Sequence, residues 1–250
     1  MGAFGTLLRR ELATYLWSLT GWVVMAAVAF LIGLSFVDLL LAVQQAPLPV
    51  HVTEVFYQTP YFWMILLLSG PVITMRLFAQ EKASGTYETL MTSPVRDGTV
   101  VMAKFTAAMV FYLMVWLPLL GCVVLIRSWT GEAQALQWPL LASTDLGIGL
   151  LGLLFVSMGC FASALTRSQT VAAMVAGLLG VSLFLLGFAV PAQGAEGPWW
   201  TRVAGLFTLV EHMRDFTRGV VDSRPVVLYT SLSAAFLYLT LRVVESRHWR

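Results

Sequence analysis

The sequence predicts an all-α integral membrane protein with six transmembrane helices, and three observations carry that prediction. Hydrophobic residues make up 58% of the 250 positions and charged residues only 11%, against about 25% charged in soluble domains; the mean hydropathy is +0.81. Six stretches lack charge, apart from Asp38 in the first, Arg76 at the end of the second and Arg242 near the end of the last, over about the 20 residues needed to cross a bilayer: 19–43, 61–78, 105–126, 146–165, 171–190 and 226–244. The basic residues also sort by side. With six spans both termini share a side, and ten Lys and Arg residues then fall with the termini against five opposite, which places both termini in the cytoplasm by the positive-inside rule.

Residues 1–18 precede the first span. Phe4, Leu7, Leu8, Leu12, Tyr15 and Leu16 share one helical arc, with Thr6, Arg9, Arg10 and Ala13 opposite, the pattern of a helix lying in the membrane surface. Glu11 falls inside the apolar arc and so requires a partner other than lipid. In the first span Asp38 is the one carboxylate well inside an apolar run. At that depth it is either functional or long enough to reach the outer headgroups.

Between the second and third spans lies a polar island, residues 79–104. It carries Glu81 and Lys82 just after Arg76, breaks at Gly85, and continues as a short helix-compatible stretch, Thr86 to Thr92, closed by Pro94. Such a stretch would be a rod of roughly 10 Å, too short to span a membrane. Beyond the third span, Trp129 and Trp138 suit the outer headgroup level, and Ser143-Thr144-Asp145 reads as the N-terminal cap of the fourth span, with Asp145 in its first turn. Gly147, Gly149, Gly152, Ser157 and Gly159 give that span a small-residue surface for close helix packing. Residues 191–225 hold a phased segment, Val203 to Gly219, predicted as an external helix or re-entrant hairpin; His212 within it reads as a hydrogen-bonded structural residue.

Several chemistries find no pattern here. There is no G-x-x-x-x-G-K-[ST] phosphate loop, no H-E-x-x-H and no nucleophile elbow in the sequence. Cys122 and Cys160 both sit in apolar runs and read as small packed side chains. A net charge of +2 with scattered basic residues gives no nucleic-acid footprint.

Three strings resemble a known family. The first is Thr74-Met75-Arg76, Phe78, Glu81-Lys82, Ser84-Gly85-Thr86, Glu88-Thr89-Leu90 and Thr92-Ser93-Pro94-Val95, followed by Val100-Val101 and Lys104-Phe105. The second is Leu146-Gly147, Gly159, Ser163-Ala164-Leu165-Thr166-Arg167-Ser168-Gln169 and Ala172. The third is His212, Phe216, Gly219-Val220-Val221-Asp222, Arg224 and Tyr229. Together they are similar to the permease subunits of type-2 ABC exporters, in the branch of the gliding-motility-associated and nitrous-oxide-reductase-maturation systems. Gln80 departs from the pattern, which commonly has an acidic residue there.

The resemblance implies a permease in the bacterial inner membrane, with no enzymatic activity of its own. Its expected partners are two copies of a soluble ATPase that binds ATP and Mg, a second permease copy or a related permease, and an extracytoplasmic accessory protein. Residues Glu81, Lys82, Gly85, Thr86, Glu88, Leu90, Met91 and Pro94 would form a cytoplasmic coupling helix, bounded by Gly85 and Pro94, that docks in the ATPase. Trp63, Met64, Ser69 and Asp38 would line the pathway, and His212, Phe216 and Gly219 would belong to the external helical segment before the last span. Two other classes fit the composition: an ion-coupled secondary transporter, which would need paired halves and buried coupling charges, and a non-transporting scaffold, which leaves the polar island unexplained.

Overall fold

A computed structural model describes residues 2–45, 56–87, 95–130, 138–188 and 205–246, and all regular structure among them is helical. In chain order the helices are α1 (Ala3–Leu16), α2 (Leu19–Gln45), α3 (Pro60–Thr74), α4 (Ala79–Ser84), α5 (Asp97–Val115), α6 (Leu117–Thr130), α7 (Trp138–Leu165), α8 (Gln169–Leu186), α9 (Leu209–Thr217) and α10 (Ser223–Glu245), with a 3₁₀ turn at Gly205–Phe207. Six of these segments are long and apolar enough to cross a membrane, α3 with α4 and α5 with α6 each counting as one.

Helix α7 is the axis of the bundle. It packs against α3, α5, α8, α9 and α10, and its 28 residues make a rod of roughly 42 Å, longer than the ~30 Å hydrocarbon layer. Close packing rests on its small residues: a Cβ on Gly152 would enter the ring of the buried Tyr112, and one on Gly147 would press on Phe216. The core around it is built from Phe62, Leu66, Phe111, Tyr112, Leu154 and Phe155, all buried. By contrast α2, α8 and α10 leave most of their apolar surface open, as lipid-facing helices do.

Prolines set the breaks. Pro71 inside α3 has no N–H to give the preceding turn, and α3 ends one turn later, leaving Met75–Phe78 as a non-helical elbow before α4. Pro118 likewise separates α5 from α6 at Trp116.

Two boundaries differ from the sequence reading. The fourth span starts at Trp138, so Ser143 and Thr144 are interior to the helix rather than its cap. The Thr144 hydroxyl donates to Leu140 O at 2.7 Å, the back-bonding that satisfies such residues inside helices, Ser143 Oγ lies 3.0 Å from the same carbonyl, and Asp145 lies two turns in, exposed. Helix α5 begins at Asp97, which places Lys104 inside the helix rather than before it. Because Lys104 is paired and only 2% exposed, its charge does not end the buried segment.

The bundle has two distinguishable ends. The near end carries α1, α4, the start of α5 and the close of α7; the far end carries α9. There Ser143 Oγ donates to Phe216 O at 2.6 Å, seating α9 on α7.

Candidate functional site

The near end gathers most of the buried charge among the described residues. Lys104 points from α5 between two other helices, donating to Glu11 Oε1 of α1 at 3.1 Å and to Glu81 Oε1 of α4 at 2.8 Å. Arg10 completes the set, reaching Glu11 Oε1 at 2.7 Å and Glu81 Oε1 at 3.4 Å. Two cations and two carboxylates therefore cancel in a patch where Lys104 is 2% and the Glu11 side chain 10% exposed. The Lys104 ammonium also lies 5.6 Å from the ring centre of Phe78, a favourable cation–π placement. Burial of this kind is tolerated only when every ion is paired, and one lysine here ties three helices together.

Neighbouring contacts fix the rest of this end. Tyr15 of α1 stacks on Phe111 of α5 with ring centres 4.8 Å apart and donates to Ile73 O of α3 at 2.9 Å. Burial raises the Tyr15 pKa well above the ordinary tyrosine value, so the phenol keeps its proton and stays a donor. Arg76, in the elbow, donates to the hydroxyls of Ser18 and Thr20 at the start of α2. A polar cleft of about 180 Å³ opens beside the cluster, lined by Arg10, Thr14, Arg76, Gln80, Glu81 and Ser84 among others. Glu81 Oε2 is buried without a partner among the described residues, next to this cleft.

Helix α4 is short, six residues, and is held at this end. Lys82 donates to Ala164 O at the close of α7 and sits 5.3 Å from the ring centre of Tyr87. Gly85 ends the helix at φ 75°, a left-handed conformation that L side chains disfavour, and Thr86 follows, exposed. Glu88, Leu90, Met91 and Pro94 lie outside the described residues.

The remaining predicted residues are dispersed. Trp63 is half-buried on α3, edge-on to Phe62 at 5.1 Å and tilted against Phe184 of α8 at 4.9 Å. Met64 is exposed on the same helix. Ser69 is buried, its hydroxyl turned back to Leu66 O. Asp38 is exposed on α2. His212, Phe216 and Gly219 belong to the far end: His212 Nδ1 lies 2.7 Å from Tyr229 OH, Phe216 packs on Gly147, and Gly219 at φ 80° closes α9. The Gly219 and Val220 N–H groups return to Phe216 O and Asp215 O at 3.1 and 2.9 Å, the paired hydrogen bonds of a Schellman cap. Burial lowers the His212 pKa, which favours the neutral imidazole and lets Nδ1 accept from the tyrosine.

Lys104 and Ser163 stand in the sequence only as members of the resemblance strings, with no role assigned to either. The available signal was Glu11 inside an apolar arc and Lys104 heading an apolar run, opposite charges that each need a partner.

The spans and the paired charges at one end define a multi-pass helical membrane protein organised around α7. Residues 43–241 match the model of a family described as ABC-2 family transporter protein, and the chain belongs to that family: it is a membrane permease of an ABC transporter. No curated protein matches the chain.

Proposed function

We propose that this permease is the membrane subunit of an ATP-driven exporter, pairing with a second permease copy and driven by two copies of a separate soluble ATPase that binds ATP and Mg. In this reading the near end faces the cytoplasm, α1 lies in the inner membrane surface, and α4 with the segment that follows it is the coupling lever. The strings around Glu81, Ser163 and His212 support placement with the gliding-motility-associated and nitrous-oxide-reductase-maturation branch.

The observation that carries the proposal is the Lys104 cluster. A loop that merely joins two spans has no need to be bound at its root, by a buried ammonium, to both an amphipathic N-terminal helix and the third span. A lever must be bound in that way, because a push on it reaches the spans only through contacts that differ between two states. The lever's outer part would dock by burying Leu90 and Met91, each worth roughly 1.5–3 kcal/mol if fully covered. Replacing both by Asp should abolish co-purification of the ATPase while the permease remains folded in the membrane; retention of the ATPase would reduce the island to a plain connector.

A further inference from the structure

Helix α4 has no cap of its own. The first N–H groups of any helix lack intrahelical partners, and the residue at its N-cap position is Phe78, which carries no side-chain acceptor. The acceptor comes instead from the fourth span. Ser163 Oγ of α7 accepts from the N–H groups of Phe78 and Ala79, both at 3.1 Å, and donates to Met75 O at 3.2 Å. One fully buried hydroxyl thus binds both edges of the elbow between α3 and α4.

Two contacts flank this cap along the same stretch of α7. One turn earlier, Gly159 lets α3 approach so closely that a Cβ there would lie 2.0 Å from Thr74 Oγ1. One residue later, Ala164 O accepts from Lys82 Nζ. A helix of six residues is far below the length that is stable alone, so its direction is set by what holds it. On one side that is the ion cluster with α1 and α5; on the other it is this run of α7.

We infer that Ser163 is a positioning residue, a cap supplied in trans that seats the Met75–Phe78 elbow on α7 and routes displacement of α4 into the fourth span. This rests on the lever reading above and adds the route. Besides α4, helix α7 touches five other helices of the bundle, so a shift of its near end is felt across the protein, whereas a shift passed only along the chain would enter α3 alone.

The test uses the permease–ATPase complex in lipid nanodiscs, comparing wild type with Ser163→Ala and Ser163→Thr. Loss of the cap should speed amide exchange at Phe78 and Ala79 by about tenfold, the scale of one lost capping interaction, with the α3 amides of Ile65 and Leu66 unchanged. A fluorophore on Thr166→Cys should report a spectral shift on adding ATP and vanadate in wild type; in Ser163→Ala that shift should disappear while ATP hydrolysis stays within about twofold, and Ser163→Thr, which keeps the hydroxyl, should restore it. Should Ser163→Ala fail to assemble, Ser163→Cys weakens the acceptor at nearly constant volume and gives the same comparison. Unchanged exchange at Phe78 and Ala79, or a full nucleotide-driven shift without the hydroxyl, overturns the inference. If no ATPase accompanies wild type, the lever reading fails, and exchange in the permease alone still decides the cap.

Discussion

Removing the Lys104 ammonium while keeping its bulk, as Lys104→Met does, isolates the charge that joins α1, α4 and α5. At an effective dielectric of about 20, its contacts of 2.8 and 3.1 Å correspond to roughly 6 and 5 kcal/mol of gross attraction. Desolvating the three ions costs several kcal/mol each, so the intact cluster contributes little net stability. The variant is a different matter, because it strands two carboxylates in a buried site. Breaking a buried pair from one side typically costs about 3–5 kcal/mol; Arg10, half-exposed and already touching both carboxylates, offsets part of that, and a loss of about 3 kcal/mol follows.

Equilibrium unfolding in mixed micelles, followed by the fluorescence of the protein's nine tryptophans, measures this loss directly. Adding Glu11→Gln and Glu81→Gln to Lys104→Met should recover at least half of it, since the stranded charges are then gone. High salt should barely change the single-variant loss, because buried pairs are weakly screened. A loss under about 1 kcal/mol, the range of an exposed ion pair, would refute the reasoning. So would a triple variant no more stable than the single one, since the cost would then come from packing rather than charge.

Two further outcomes are expected. Gly159→Ala should destabilise by about 1–3 kcal/mol through overpacking against Thr74, and Thr74→Ala in the same chain should recover part of it in the same unfolding assay. At the far end, the His212 pKa is lowered in the folded protein. Its contribution to holding α9 is therefore complete above the ordinary value of ~6.5 and is lost as pH falls from there through the depressed folded value. Amide exchange in α9 should accelerate over that window, and His212→Gln should flatten the dependence.

The spans were legible in the sequence because hydrocarbon imposes a single requirement, about 20 residues without uncompensated charge, and composition alone reveals it. Their limits were legible only where charge and exposure coincide. At Lys104 they do not: the residue reads as the edge of an apolar run, yet Glu11 and Glu81, 93 and 23 residues away, make it an interior residue. Ser143 and Thr144 misled in the opposite sense, since hydroxyls that cap one helix are equally at home inside another when a carbonyl one turn back accepts them. Ser163 was hidden for a third reason. Its partners are backbone amides of the elbow, and no periodicity in the sequence records which backbone groups a turn leaves unpaired.

The two grips on α4 differ in kind, and the difference bears on how a lever at this position would move. Hydrogen bonds weaken steeply with distance and three of them converge on the one Ser163 oxygen, so that contact resists translation more than rotation about that oxygen. The ionic contact adds to its hydrogen bonds an attraction that falls off as the inverse of distance, and it is shared among Arg10, Lys104 and two carboxylates. Glu81 is therefore held more strongly than the cap holds the elbow, yet it can shift its weight between Lys104 and Arg10 without losing both cations. In the proposed lever reading, a pivot at Ser163 with an attachment at Glu81 shared between two cations would let a push on α4 turn the elbow against α7 while α1 holds its position on α5.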